Sequence, residues 1–215
     1  MSTTAIRKDA KGMTTNSVEK YLTDLQITKL NKLKEIDMKI ILAIDIQNEY
    51  ITEGRPFNIR GIESSLYNAR SIIETARKNG VPVWHVKHEQ HEKNKNVFVK
   101  GAALSKFVDG FQPLQDEYCF TKDMYSCFSS DEFTKKMAEE KPDEIVIIGY
   151  GTSMCCTCTI IDGIHRGYNF TLIEDATASR GFPHATEEEM HRSAINVLTQ
   201  YAKIQKTQEL IQRIG

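Results

Sequence analysis

The stretch Glu144-Ile145-Val146-Ile147-Ile148-Gly149-Tyr150-Gly151-Thr152-Ser153-Met154-Cys155 decides the fold. After one acid, Ile145 to Ile148 form an unbroken β-branched run, the composition of a strand buried on both faces. Gly149 and Gly151 break that strand, and residues 153–166 read as a helix closed by Gly167. In parallel sheets, ligands bind where the carboxyl end of a strand opens onto a helix. A thiol at position 155 falls in the first turn of this helix. There, unpaired N–H groups and the positive end of the backbone dipole favour thiolate and can hold a developing oxyanion. The junction therefore reads as the active site of a cysteine-nucleophile enzyme.

Working outward, the chain alternates strand and helix. Lys39–Ile44 is a nearly continuous apolar run, and Ser64–Asn79 reads as a helix stopped by Gly80. Val81–Val86 is a second strand, followed by a polar loop over 88–96, and Glu117–Lys122 is a short third strand. Ser129 with Glu132 forms a capping box for a helix to Lys141, which Pro142 ends. Asn169–Glu174 supplies a fifth strand, Thr186 with Glu189 caps a helix to about Tyr201, and Lys203–Gln205 is a weak sixth strand. This alternation predicts a three-layer α/β/α fold with a six-stranded parallel sheet, right-handed crossovers and helices on both faces. Asp45 then ends strand one, Lys122 ends strand three and Cys155 follows strand four, so all three converge on one crevice.

Residues 1–37 stand apart. A polar leader precedes an apolar stripe at Val18, Leu22, Leu25, Ile27, Leu30, Leu33 and Ile36, which predicts an N-terminal helical extension ahead of a single domain at 38–215. At 215 residues and 40% hydrophobic, the chain suffices for one well-buried α/β core. A net charge of −1 with mixed signs offers no basic face for nucleic acid. Neither a membrane-length apolar segment nor a signal-peptide core is present, which predicts a cytoplasmic protein without a membrane partner. The odd number of cysteines, five, reads as reduced thiols rather than a disulfide framework.

A free thiol of pKa near 8.5 is only about 3% thiolate at pH 7, so a neighbouring ammonium such as Lys122 would raise the reactive fraction. Asp45 can take the thiol proton, return it to a leaving amine and later activate water. The N–H groups of Gly151 and Cys155 are candidate oxyanion donors, and Tyr50, Tyr125 and Tyr150 flank the crevice where a substrate pocket would form. No cofactor is needed for that cycle. Two other uses of the residues remain open. Cys155-Cys156-x-Cys158 could form a redox pair, although it lacks Cys-x-x-Cys zinc spacing. His85, His88 and His91 could hold a metal only if a turn overcame the opposite facing of His85 and His88 in an extended strand. No metal site is assigned.

These residues bear a resemblance to a family. Asp45-Ile46-Gln47-Asn48-Glu49-Tyr50 resembles the Asp-x-Gln-Asn segment of the isochorismatase-like cysteine hydrolases. Lys122 with Ser126-Cys127-Phe128 resembles their Lys and Ser-Ala-Phe, and Gly149-x-x-Thr152-x-x-Cys155 resembles their nucleophile motif. Asp162-Gly163-Ile164-His165-Arg166-Gly167-Tyr168 and Glu174-Asp175-Ala176 are similar to two downstream segments, so the likeness spans roughly residues 38–211. It implies Cys155 as nucleophile, Asp45 as general acid/base and Lys122 as their cation. Gln47, Tyr50, His88, Tyr150 and Gly151 are the residues expected around a small amide substrate. It also implies a cis peptide at Tyr150–Gly151 and a homo-oligomer, dimer or tetramer. Cys155 points to C–N hydrolysis through a thioester rather than to isochorismate. The absence of Asp-x-His in Trp84-His85-Val86-Lys87-His88 lowers nicotinamidase in the ranking. The alternative is a catalytically inactive relative acting as a ligand-binding or protein-interaction module.

Overall fold

The structure is a computed structural model that describes residues 38–90 and 96–215. The N-terminal extension and His91 lie outside the described residues. Six strands form one sheet in the order β3-β2-β1-β4-β5-β6. They are β1 (Lys39–Ile44), β2 (Val83–His88), β3 (Tyr118–Lys122), β4 (Glu144–Tyr150), β5 (Phe170–Ala178) and β6 (Lys203–Gln205), and every neighbouring pair is parallel. Among the described residues the five main helices are α1 (Glu63–Lys78), α2 (Asp131–Glu140), α3 (Thr157–His165), α4 (Glu187–Leu198) and α5 (Thr207–Ile214). A single helical turn, Asn48–Ile51, follows β1.

The continuous apolar runs are explained by burial on both faces. Ile41, Ala43, Val146 and Ile148 pack under α1 and α5 with Ile72, Ile73 and Leu210. The alternate residues Ile40, Leu42, Ile44, Ile145 and Ile147 pack on the other side with Phe133, Met137, Ile160 and Leu198 from α2, α3 and α4. A period-2 backbone inside a three-layer stack requires apolar residues at every position.

Gly149 allows β1 and β4 to close at their carboxyl ends. It pairs with Ile44, its φ is +107°, and a Cβ there would stand 2.0 Å from the Ile44 carbonyl oxygen. Gly149→Ala is therefore expected to destabilise the protein by about 3 kcal/mol or more. The midpoint of urea unfolding measures this, and a shift equivalent to under about 1 kcal/mol would refute the close approach. Gly163 on α3 serves helix packing instead, since a Cβ would lie 2.2 Å from the Phe170 ring. That contact explains why the helix retains a residue about 1 kcal/mol poorer than alanine.

Several boundaries differ from those expected, each for a local reason. β2 begins two residues late and runs through His88, which is buried at the strand end rather than in a loop. The cap of α2 is Ser130, whose Oγ accepts from Phe133 N, because Ser129 closes a preceding 3₁₀ turn by donating to Ser126 O. β5 continues past the Glu174-Asp175 pair to Ala178. Asp175 tolerates this because its Oδ1 accepts from both Thr207 N and Thr207 Oγ1. The Thr186–Glu189 capping box forms as expected, and its helix ends at Leu198. The helix expected from residue 153 opens with one turn of π-helix, Thr152–Cys156, before α3 begins.

Candidate active site

Three strand ends build the site. Asp45 follows β1 with φ +53°, a left-handed conformation that Asp tolerates better than most residues. Its N–H is held by Val86 O at 2.8 Å, and its own carbonyl accepts from Gln47 N at 2.8 Å. Lys122 ends β3, and Cys155 sits in the π turn after β4. The Tyr150–Gly151 peptide before that turn is cis. The Gly151 carbonyl accepts from Met154 N and Cys156 N, which folds the turn back on itself.

At the centre lies the Lys122 ammonium. Its Nζ is 2.8 Å from Asp45 Oδ2, 3.2 Å from His88 Nδ1, 3.2 Å from Met124 O and 3.3 Å from Cys155 Sγ. Asp45 is fully buried, and Lys122, His88 and Cys155 are 2%, 7% and 4% exposed, so the charges act on one another with little solvent screening. Donor atoms of Asp45, His88 and Cys155 all lie within 4.8 Å of one another, a spacing that could hold a metal ion. The Lys122 ammonium stands within 3.3 Å of all three and supplies the positive charge of this cluster.

Burial pulls the Lys122 amine down, but the Asp45 carboxylate and the Cys155 sulfur outweigh it and hold the ammonium well above its usual range. For Cys155 the balance goes the other way. Burial pushes the thiol up, Asp45 adds to this, and Lys122 opposes both without prevailing. Burial and Asp45 therefore oppose the thiolate-favouring effect of the helix start and of Lys122, and favour the protonated thiol. Asp45 Oδ1 is buried with no hydrogen-bond partner among the described residues, which leaves it free to accept a proton. Cys127 and Cys156 are buried, with Cys127 pushed up to about 12 by burial, so both are inert as reduced thiols.

The remaining sequence candidates divide by what they touch. His88 meets Lys122 with Nδ1 and packs against the Phe98 ring at 5.0 Å. Burial, then Lys122, lower it to about 4, so the imidazole is neutral at pH 7 and accepts from the ammonium. Gln47 does not face the crevice: its amide donates to His88 O and Ser105 O and accepts from His88 N, bracing the end of β2. Tyr150 is likewise displaced into the core, with its hydroxyl 3.0 Å from Ser65 Oγ. Tyr50 is buried beside Cys155, and burial, followed by its acidic neighbours Cys155 and Asp45, pushes its phenol well above the usual value. Tyr125 is exposed. His85 points to the opposite face, 3.0 Å from Glu117, so His85 and His88 share no ligand site.

The neutral His88 has a measurable consequence. Its ordinary value of 6.5 applies in the unfolded chain, which binds a proton that the folded site refuses until about pH 4. Stability should therefore fall as pH drops from about 6.5 towards about 4, with His88 contributing up to about 3 kcal/mol. Urea midpoints for wild type and His88→Gln at pH 7 and pH 4.5 test this. The variant should lose less stability than wild type across that interval.

Three contacts were not legible beforehand. Thr152 Oγ1 lies 2.9 Å from His191 Nδ1, and Ser153 N donates to Ser179 Oγ at 3.0 Å, fastening the cysteine turn to α4 and to the residue after β5. Arg180 packs its guanidinium over Phe57 and Phe182, while its Nε is buried without a hydrogen-bond partner among the described residues. Among the described residues, no helix is long and apolar enough to cross a membrane.

Comparison with known proteins gives the chain its relatives. The family model described as the isochorismatase domain matches residues 39–209. A probable inactive nicotinamidase of Arabidopsis thaliana is 30% identical, with 65% of this chain and 80% of that protein aligned. The ureidoacrylate amidohydrolase RutB of Agrobacterium fabrum is 24% identical over 66% of this chain and 76% of its own length. An isochorismatase-like hydrolase from Alkaliphilus metalliredigens superposes with a TM-score of 0.73 at 29% identity, covering 82% of this chain and 96% of that one.

Proposed function

The chain belongs to the isochorismatase family, and from that premise we propose that it is an amidohydrolase that cleaves a small-molecule amide or ureido C–N bond through a thioester on Cys155. The observation that carries this is the Lys122 ammonium, 2.8 Å from the Asp45 carboxylate, whose other oxygen has no hydrogen-bond partner among the described residues, and 3.3 Å from the sulfur. Asp45 removes the thiol proton as sulfur attacks the carbonyl, and Lys122 stabilises the thiolate that develops. The N–H groups of Gly151 and Cys155 receive the oxyanion. Collapse returns the proton from Asp45 to the leaving nitrogen, which departs as ammonia or amine and leaves the acyl group on sulfur. Asp45 then takes a proton from water, hydroxide adds to the thioester, and the carboxylic or carbamic acid leaves with the thiol restored.

Neutral His88 fits a role in orienting the Lys122 ammonium. Ammonia release from nicotinamide, simple carboxamides, carbamoyl compounds and ureido acids tests the assignment. Turnover of at least one amide or ureido compound is expected.

The alternative, a non-catalytic relative that keeps the crevice as a binding site, draws support from the inactive Arabidopsis relative. The complete Asp45–Lys122–Cys155 contact set favours catalysis. Cytoplasmic location and homo-oligomeric assembly are retained as proposals.

A further inference from the structure

We propose that His191 is a positioning residue for the nucleophile: through Thr152 it locks the π turn that carries Cys155 onto α4. This rests on the hydrolase reading above and assigns a role to a helix residue outside the reacting cluster. Thr152 opens that turn, is fully buried, and places its Oγ1 2.9 Å from His191 Nδ1. The ring also lies near Glu174 of β5, whose backbone and carboxylate oppose the effect of burial on the imidazole.

Burial lowers the His191 value, which favours a neutral imidazole at pH 7. A neutral ring has one donor and one acceptor nitrogen, and the Thr152 hydroxyl can pair with Nδ1 in either role. The contact runs from α4 through the ring to the residue three before the sulfur.

The Thr152 backbone reinforces the connection. Its carbonyl accepts from Thr157 Oγ1 at 2.6 Å and from Thr157 N, tying the turn to the start of α3. The Ser153 N–H to Ser179 Oγ bond is a second external attachment, to the residue after β5. A π turn has weaker internal hydrogen bonding than an α-helix, so external attachments determine where its side chains point. Here that direction sets the 3.3 Å approach of Cys155 Sγ to Lys122 Nζ, and reaction rates are sensitive to such placement.

The test compares Thr152→Val, Thr152→Ser, His191→Ala, His191→Gln and the Thr152→Val/His191→Ala pair. For each, kcat and KM for ammonia release are measured alongside Tm. Losing one such hydrogen bond should lower kcat about tenfold in Thr152→Val and His191→Ala, with KM within about twofold of wild type. The double variant should be no slower than the slower single, because both changes remove the same contact. Thr152→Ser keeps the hydroxyl, and His191→Gln keeps one acceptor and one donor, so both should remain within about threefold of wild type.

Wild-type kcat in folded His191→Ala, additive losses in the double variant, or glutamine no better than alanine would each overturn the proposal. Should His191→Ala fail to fold, Thr152→Val against Thr152→Ser decides: equal kcat refutes it, and a deficit confined to valine supports it. Ammonia release that survives Cys155→Ala would instead refute the hydrolase mechanism itself, whatever the His191 variants do.

Discussion

Asp45→Asn should slow amide turnover by roughly 10²–10⁴ while making Cys155 easier to alkylate at neutral pH. The two changes are opposite in sign because Asp45 has two effects on the sulfur. It is the base that catalysis needs, and its negative charge is one of the forces holding the thiol protonated. An amide in its place removes the base and leaves Lys122 as the nearest charge, 3.3 Å from Sγ. The alkylation profile against pH should therefore move to lower pH, as the hydrolysis rate collapses. Breaking the buried Asp45–Lys122 pair should also cost about 3 kcal/mol of stability, read as a lower urea midpoint with the folded spectrum retained. Parallel loss of both reactivities would show that Asp45 supports the fold rather than the proton transfers.

Cys155→Ala should abolish ammonia release, a loss on the order of 10⁴-fold or more, because no other group in the site can form the acyl intermediate. Lys122 is held protonated, and Tyr50 is held as the neutral phenol. Cys127 and Cys156 are buried, unactivated thiols. The structural cost should be small, because alanine suits a helical turn and only one sulfur is removed. An inactive variant with near wild-type Tm is thus the expected result. It separates chemistry from folding more cleanly than Lys122→Met, which would leave the Asp45 carboxylate buried without its partner.

The sheet was legible because its evidence is periodic and local. The two central strands, β1 and β4, are apolar runs such as Ile145–Ile148 whose burial on both faces leaves no other reading. The convergence of Asp45, Lys122 and Cys155 was legible because strand-end positions share one side of a parallel sheet. Protonation was not. The dipole argument for a Cys155 thiolate counted the helix start and Lys122, whereas the depth of burial and the sign of the Asp45 contribution depend on coordinates.

Gln47 and Tyr150 were placed at the substrate for a similar reason. Side-chain direction sends one to the His88 backbone and the other to Ser65, which strand position alone does not reveal. His191 gave no signal at all, since a histidine on an amphipathic helix is ordinarily only a half-buried polar residue. Its meaning comes from Thr152, which lies 39 positions away in the chain.

The most direct measurement is the mass of the Cys155-containing peptide after acid quenching of the wild-type enzyme during turnover of its best amide, with and without hydroxylamine. The account predicts an acyl group on Cys155 equal to the substrate less its amine, and diversion of product to the hydroxamate when hydroxylamine is present. Steady ammonia release with that peptide unmodified and no hydroxamate formed would contradict it.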